Sequence, residues 1–205
     1  MPLVSAATLR EYLPEIGDNT SADTELNSLI ARVEAAVARC LGFPPPASSS
    51  SFTTLDQSTY TLYLDGATYF DRNVLQLPIK PVVSITSIFS DIERRYEAGS
   101  ALTLSNIDID LVNGRLIIKP YTSTAFDRGY RAIKITFVAG YDTAAPPADL
   151  VHAICVLSSQ LHRAKQTQGK ENISIQGTSI KLSERTIPNE VQEILNKFKC
   201  PLLVM

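Results

Sequence analysis

Apolar positions recur with two different periods, helical at both ends of the chain and alternating in the middle, and the change of period marks out its parts. Ser5 or Thr8 is placed to cap a short opening helix, Thr8 with Glu11 matching the capping-box spacing. Leu9, Tyr12 and Leu13 share one face of it, and Pro14 and Gly17 stop it. Ser21 then reads as the cap of a longer helix over 22–41, with Asp23 and Glu25 in its first turn. Leu26, Leu29, Ile30, Val33, Val37, Cys40 and Leu41 follow the i, i+3, i+4, i+7 spacing, and Gly42 suits the position just past a helix end.

Pro44-Pro45-Pro46 and the serines Ser48 to Ser51 form a linker, after which the period falls to two. Tyr60, Leu62 and Leu64 alternate before Asp65-Gly66. Leu75-Gln76-Leu77 is stopped by Pro78, and Val82 to Phe89 reads as another strand. Asn113-Gly114 lies between apolar runs inside Asp108 to Lys119 and signals a hairpin. Ile133, Ile135 and Phe137 alternate with Lys134 and Thr136. The region 52–141 is therefore expected to be a β-rich unit of five to seven short strands.

Helical spacing returns after Gly140-Tyr141. Pro147 leads a helix over 147–165, with Leu150, Ile154, Leu157 and Leu161 as its apolar stripe. A polar stretch at 166–172 precedes Ile173, Ile175, Ile180 and Leu182, which alternate around Gly177 as a small ribbon. Pro188 opens a last helix with Val191, Ile194, Leu195 and Phe198 on one face. The expected fold class is α+β, a small helical bundle (helices near 5–13, 22–41, 147–165 and 188–199) with a β-rich insertion and a C-terminal arm. In domain terms, 1–43 and 142–165 make the helical core, 52–141 the insertion and 166–205 the arm. The helices near 22–41 and 147–165 are expected to pack together across the intervening strands.

Composition narrows the function classes. With 205 residues, 44% hydrophobic and 20% charged, the chain forms a core, and a net charge of −2 does not mark a protein that binds nucleic acid by neutralising phosphates. No apolar run reaches the length of a membrane span, so no membrane partner is expected, and the first residues lack the basic start of a signal peptide. Cys40, Cys155 and Cys200 are odd in number and read as reduced thiols of a cytosolic product. Charge is uneven: residues 1–57 are net −4 and residues 163–205 net +3, an asymmetry that would draw the head of one copy to the tail of another, or is simply two solvated faces.

Catalytic chemistry has little to stand on. His152 and His162 fall about 80° apart on one helix and do not converge as an i, i+4 metal pair would. None of the common zinc, nucleophile-elbow or phosphate-loop motifs occurs. Asp108 and Asp110 lie on one side of a strand with Ile107, Ile109 and Leu111 on the other, a carboxylate pair that reads first as a wet face. Arg94-Arg95-Tyr96 carries its own acids, Asp91 and Glu93. The expectation is no catalytic residue, no cofactor and no metal. A monomeric β-rich binding module, recognising a peptide or glycan through Tyr60, Tyr63, Tyr69, Phe70 and Tyr96, is the alternative class.

The order of the pieces resembles the tailed-bacteriophage head–tail connector family, the adaptor or head-completion proteins. Four stretches carry the likeness: the two opening helices from Thr8 to Leu13 and Leu26 to Gly42, the run Leu77-Pro78-Ile79-Lys80-Pro81-Val82-Val83-Ser84-Ile85-Thr86-Ser87-Ile88, the run from Ile133 to Tyr141 leading through Pro147-Ala148-Asp149-Leu150 into a helix, and Ile187-Pro188-Asn189-Glu190-Val191 with Leu195 and Phe198. The resemblance implies a non-enzymatic virion component, made in the bacterial cytoplasm, in a ring of 12 copies beneath the portal protein. Such a ring joins the portal to a stopper or tail-completion protein and lets double-stranded DNA pass without binding it specifically. In that setting Ile173, Ile175, Ile180 and Leu182 are candidates for contact with the next subunit. Lys197, Phe198, Lys199, Leu202, Leu203 and Met205 form a basic and apolar plug that either docks on the portal or folds back on its own helices.

Overall fold

Segments that are far apart in sequence are brought together by the need to bury the stripe on the longer helix. The computed structural model describes residues 2–17, 19–44, 54–66, 73–166, 172–175, 178–181 and 187–200. The linker residues 45–53, together with Tyr69, Phe70, Leu182, Leu202, Leu203 and Met205, lie outside the described residues.

Helix α1 (Ala6–Arg10) is capped by Ser5, whose hydroxyl accepts from the Thr8 N–H. It is shorter than the 5–13 expected, because the chain tightens into i→i+3 turns at Tyr12 and Leu13. Leu9 and Leu13 are nevertheless fully buried. Helix α2 (Asp23–Leu41) does not start on a Ser21 cap. A 3-10 turn over Thr20–Ala22 runs directly into it, so the capping side chain sits upstream at Asn19, which accepts from the Ser21 N–H. At its C-terminus Gly42 takes φ 89° and donates to Arg39 O, while the Phe43 N–H donates to Ala38 O, the double closure that favours glycine at this site.

Two antiparallel sheets follow. Strands β1 (Ser58–Gly66), β3 (Val82–Ser90) and β6 (Gly129–Ala139) form one, in the order β1-β6-β3. Strands β2 (Val74–Gln76), β4 (Ile107–Asp110) and β5 (Arg115–Ile118) form the other, in the order β2-β5-β4. The Asn113-Gly114 signal corresponds to the β4–β5 hairpin, whose register pairs Asp110 with Arg115 across a four-residue loop. Ile107 is buried opposite Ile118, but Ile109 is at the rim and Leu111 belongs to the exposed loop, so only part of the expected apolar side is covered. Central strand β6 buries Ile133, Ile135, Phe137 and Ala139. Gly140 follows at φ 121°, where a side chain would run into the backbone at Asp56.

Helix α3 (Ala148–Gln166) packs against α2, so the sequence-distant helices do meet. Its buried face is rotated slightly from the expected stripe. Leu150, Ala153, Ile154 and Ser158 are fully buried, Leu157 is half-buried and Leu161 is 44% exposed, because the last turns reach past the core. There Arg163 pairs with Glu15 at 2.9 Å, and Lys165 pairs with Glu25. Cys40 is also exposed, since Ala38 and Leu41 take the contacts at the end of α2. Among the described residues, strands β7 (Asn172–Ile175) and β8 (Thr178–Lys181) pair only with each other, and α4 (Asn189–Phe198) packs on α2 and α3. One continuous apolar cluster joins the helices to both sheets. The architecture is a mixed α+β fold.

The burial gradient along α3 sets a stability series. Ile154→Asp should cost about 4 kcal/mol or more through an unpaired buried charge, Leu157→Asp less, and Leu161→Asp within about 0.5 kcal/mol, read from chemical denaturation midpoints. Equal losses at Ile154 and Leu161 would contradict the packing.

Candidate functional site

No group of three His, Cys, Asp or Glu side chains able to hold a metal occurs among the described residues, and no described helix is long and apolar enough to cross a membrane. The individual candidates are each absorbed by local structure. His152 accepts or donates at Nδ1 with the Tyr12 hydroxyl at 3.0 Å and has Nε2 3.6 Å from Glu190, so it links the turn after α1 to α3 and α4. His162 lies ten residues further along α3, roughly 15 Å at 1.5 Å per residue. Asp110 accepts from the Asn113 backbone and side chain, which hold its carboxyl below the usual range, while Asp108 is 3.5 Å from Lys119. Asp91 accepts three backbone N–H bonds, from Glu93, Arg95 and Tyr96, and these shape the Arg94-Arg95-Tyr96 loop.

The aromatic loop set does not form a binding surface in the described residues. Tyr60 is fully buried against Phe137, and burial raises its hydroxyl to about 12. Tyr63 and Tyr96 do meet, with ring centroids 5.4 Å apart, but the chain's own cations cover them. Arg131 lies 4.8 Å from the Tyr63 ring and Lys134 lies 5.6 Å from the Tyr96 ring.

The C-terminal candidates divide. Val191 and Leu195 are buried, and Phe198 stands edge-on to Tyr141 at 6.0 Å. Tyr141 in turn faces Phe43 at 6.3 Å. Beyond the helix the Cys200 N–H donates to Leu41 O at 2.9 Å, and its thiol lies 3.9 Å from Lys80 O. Phe198 therefore serves the core, whereas Lys197 and Lys199 are exposed. In the ribbon, the register sets Ile173 opposite Ile180 and Ile175 opposite Thr178.

This arrangement of an anchored C-terminal helix, two antiparallel sheets and a two-stranded ribbon matches a known family. The head completion protein family profile matches residues 3–200. The chain belongs to that family. A head completion protein is a structural component of the head–tail connection, and this chain has that role. Three similar solved structures come from gene transfer agent particles. The neck of an empty particle with C6 symmetry has a TM-score of 0.60 and 17% identity, covering 100% of this chain and 91% of that chain. The native virion gives a TM-score of 0.58 at 16% identity, covering 100% and 91%. The neck of the native particle with C12 symmetry gives 0.50 at 16%, covering 97% and 89%. At these identities the likeness is one of fold. No curated protein matches the chain.

Reading the sequence alone missed Glu34, the one charged side chain buried on the head completion protein's α2 stripe. Its position four residues after Ile30 was the available signal. Oε1 accepts from the backbone N–H groups of Leu3 at 2.8 Å and Val4 at 3.1 Å, fixing the N-terminal segment to α2. Burial pushes the carboxyl up to about 7, against the pull of those two bonds. The folded state thus keeps a proton that an unfolded chain, at 4.5, has released. Stability from this group is complete below pH 4.5 and is lost as pH rises through about 7. Glu34→Gln keeps an oxygen acceptor and should remove about 2–3 kcal/mol of the pH dependence over that window, read from denaturation midpoints at each pH. An unchanged slope would contradict the assignment.

Proposed function

We propose that the protein assembles as a ring of 12 copies directly beneath the portal, links the head to a stopper or tail-completion protein, and leaves an axial channel through which double-stranded DNA passes without specific binding. The observation that carries this reading is the family match across residues 3–200. The neck structures of similar fold have C6 and C12 symmetry, and a ring of 12 copies satisfies both. By the same reading the protein resides in the virion, is made in the host cytoplasm and performs no catalytic step. A net charge of −2 suits a conduit, because dense Lys and Arg contacts to phosphate would retain DNA that has to slide.

Within the ring, residues 166–205 act as an arm. The 166–187 ribbon reaches the adjacent subunit through Ile173, Ile175, Ile180 and Leu182, and Leu202, Leu203 and Met205 dock on the portal with Lys197 and Lys199 beside them. Phe198 supports this plug from below by its contact with Tyr141. The exposed lysines favour an acidic portal surface, and repetition around a ring strengthens a weak single contact.

Removing residues 201–205 while keeping Cys200 tests the docking. The melting temperature should stay within about 2 °C of the full chain, since a 1 kcal/mol change shifts it by about 2–4 °C at this chain length, while attachment to portal-bearing heads is lost. Normal occupancy on heads would refute portal docking by the tail.

A further inference from the structure

We propose that, in the assembled ring, the β7–β8 ribbon of one copy adds to the β1 edge of the next copy and extends the β1-β6-β3 sheet across the subunit boundary. The proposal rests on the ring reading above and names the surface that receives the arm.

Four strand edges border the two main sheets, and three are poor acceptors. Strand β2 has only three residues. Strand β4 has four and carries Asp108 and Asp110. Strand β3 is long, but its register with β6 shifts between Val82 and Ser84 and again between Ile85 and Ser87. Both of its ends are also occupied. The Val82 N–H donates to Leu111 O at 2.9 Å, and Ile88 O accepts from the Leu102 N–H at 2.8 Å. Bulges and covering loops of this kind are how proteins blunt an edge against added strands.

Over Ser58 to Leu64 strand β1 has none of these devices among the described residues, its register shift lying beyond, between Leu64 and Gly66. From Ser58 to Leu64 it runs in unbroken register against Ala139 to Ile133 of β6, and no other described strand pairs with it. Its sequence there, Ser-Thr-Tyr-Thr-Leu-Tyr-Leu, has high β-propensity and contains no Lys, Arg or Pro. Alternate residues of such a strand turn their N–H and C=O groups away from β6, offering a ready template.

The ribbon supplies the complementary element. Among the described residues its two four-residue strands pair only with each other, which leaves each an outer edge with no described strand on it. Four residues extend about 13 Å, which fits within the regular stretch of β1. The charges agree as well: residues 54–66 carry Asp56 and Asp65 and no base, whereas residues 170–181 carry Lys170 and Lys181 against Glu171. In the single chain the ribbon and β1 belong to different sheets, so the strand that completes the edge comes from a second copy. Main-chain hydrogen bonds give strand addition its affinity and the side-chain alternation sets its register.

Cysteine pairing in assembled particles tests this. In a Cys40→Ala background, Thr61→Cys on β1 is combined with Ser179→Cys on the ribbon, and particles are oxidised and then denatured without reductant. The expected result is a ladder of covalently joined subunits, restored to monomer by reductant. A control combining Asp110→Cys with Ser179→Cys should give no ladder. Particles that hold the ring but yield only monomer overturn strand addition and leave the ring reading intact. A monomer of altered mobility, joined to its own ribbon, also overturns it, as does a ladder from the Asp110 control alone. Particles and solutions that contain no ring overturn both readings together.

Discussion

Burial of α2 on several sides at once is the constraint from which the rest of the arrangement follows. Leu26, Ile30, Val33, Val37 and Leu41 are buried along it, each contributing about 1.5–3 kcal/mol relative to exposure. No single neighbour covers that surface. The N-terminal segment is tied to it through Glu34, α3 packs along it, and Cys200 closes its C-terminal end through Leu41. These partners come from the beginning, the last third and the end of the chain. The two sheets are therefore looped out between α2 and α3, and Gly140-Tyr141 at the end of β6 brings the chain back toward the helices. Tyr141 makes this return specific, with Phe43 on one side and Phe198 on the other.

Elements whose period is long and regular were legible in the sequence. The α2 stripe, the alternation of β6 and the start of α3 directly after Pro147 stand where spacing put them, to within a residue. Periodicity did not show where a stripe runs out of partners. Leu161 continues the α3 pattern but extends beyond the core, and Cys40 yields to Leu41 because the C-terminal segment approaches from that side. Local competition was equally hidden. Asn19, not Ser21, caps the approach to α2, since a 3-10 turn and an α-helix join without a break. Tyr60 looked like surface aromatic material because an alternating strand does not reveal which of its two faces meets the core.

The functional reading had a different source. Of the polar candidates among the described residues, Asp110 shapes a turn, His152 forms a clasp and Asp108 joins a surface pair. The order of structural stretches carried the family likeness, while the chemistry of single residues carried none of it. Glu34 is the exception that sequence could have flagged, a carboxylate on a buried stripe. Its partners were out of reach, because the Leu3 and Val4 amides lie some thirty residues away in the chain.

The helices that flank the ribbon in sequence, α3 and α4, are each held firmly. At one end α3 is tied by Arg163 to Glu15 and by Lys165 to Glu25. Exposed pairs of this kind contribute little stability singly, but they fix the direction in which the helix ends. At the other end α4 is held by Val191, Leu195 and Phe198, with His152 bridging from Tyr12 toward Glu190 at its first turn. A segment tethered at both ends has fewer conformations to lose on pairing than a free tail, and loop-closure entropy grows only slowly with its length. In the proposed ring, anchoring the arm on both sides would serve assembly more than the stability of the single chain. In the proposed strand addition, tethers at α3 and α4 would restrict the search, so that a short strand with few hydrogen bonds could find its partner edge in a neighbouring copy.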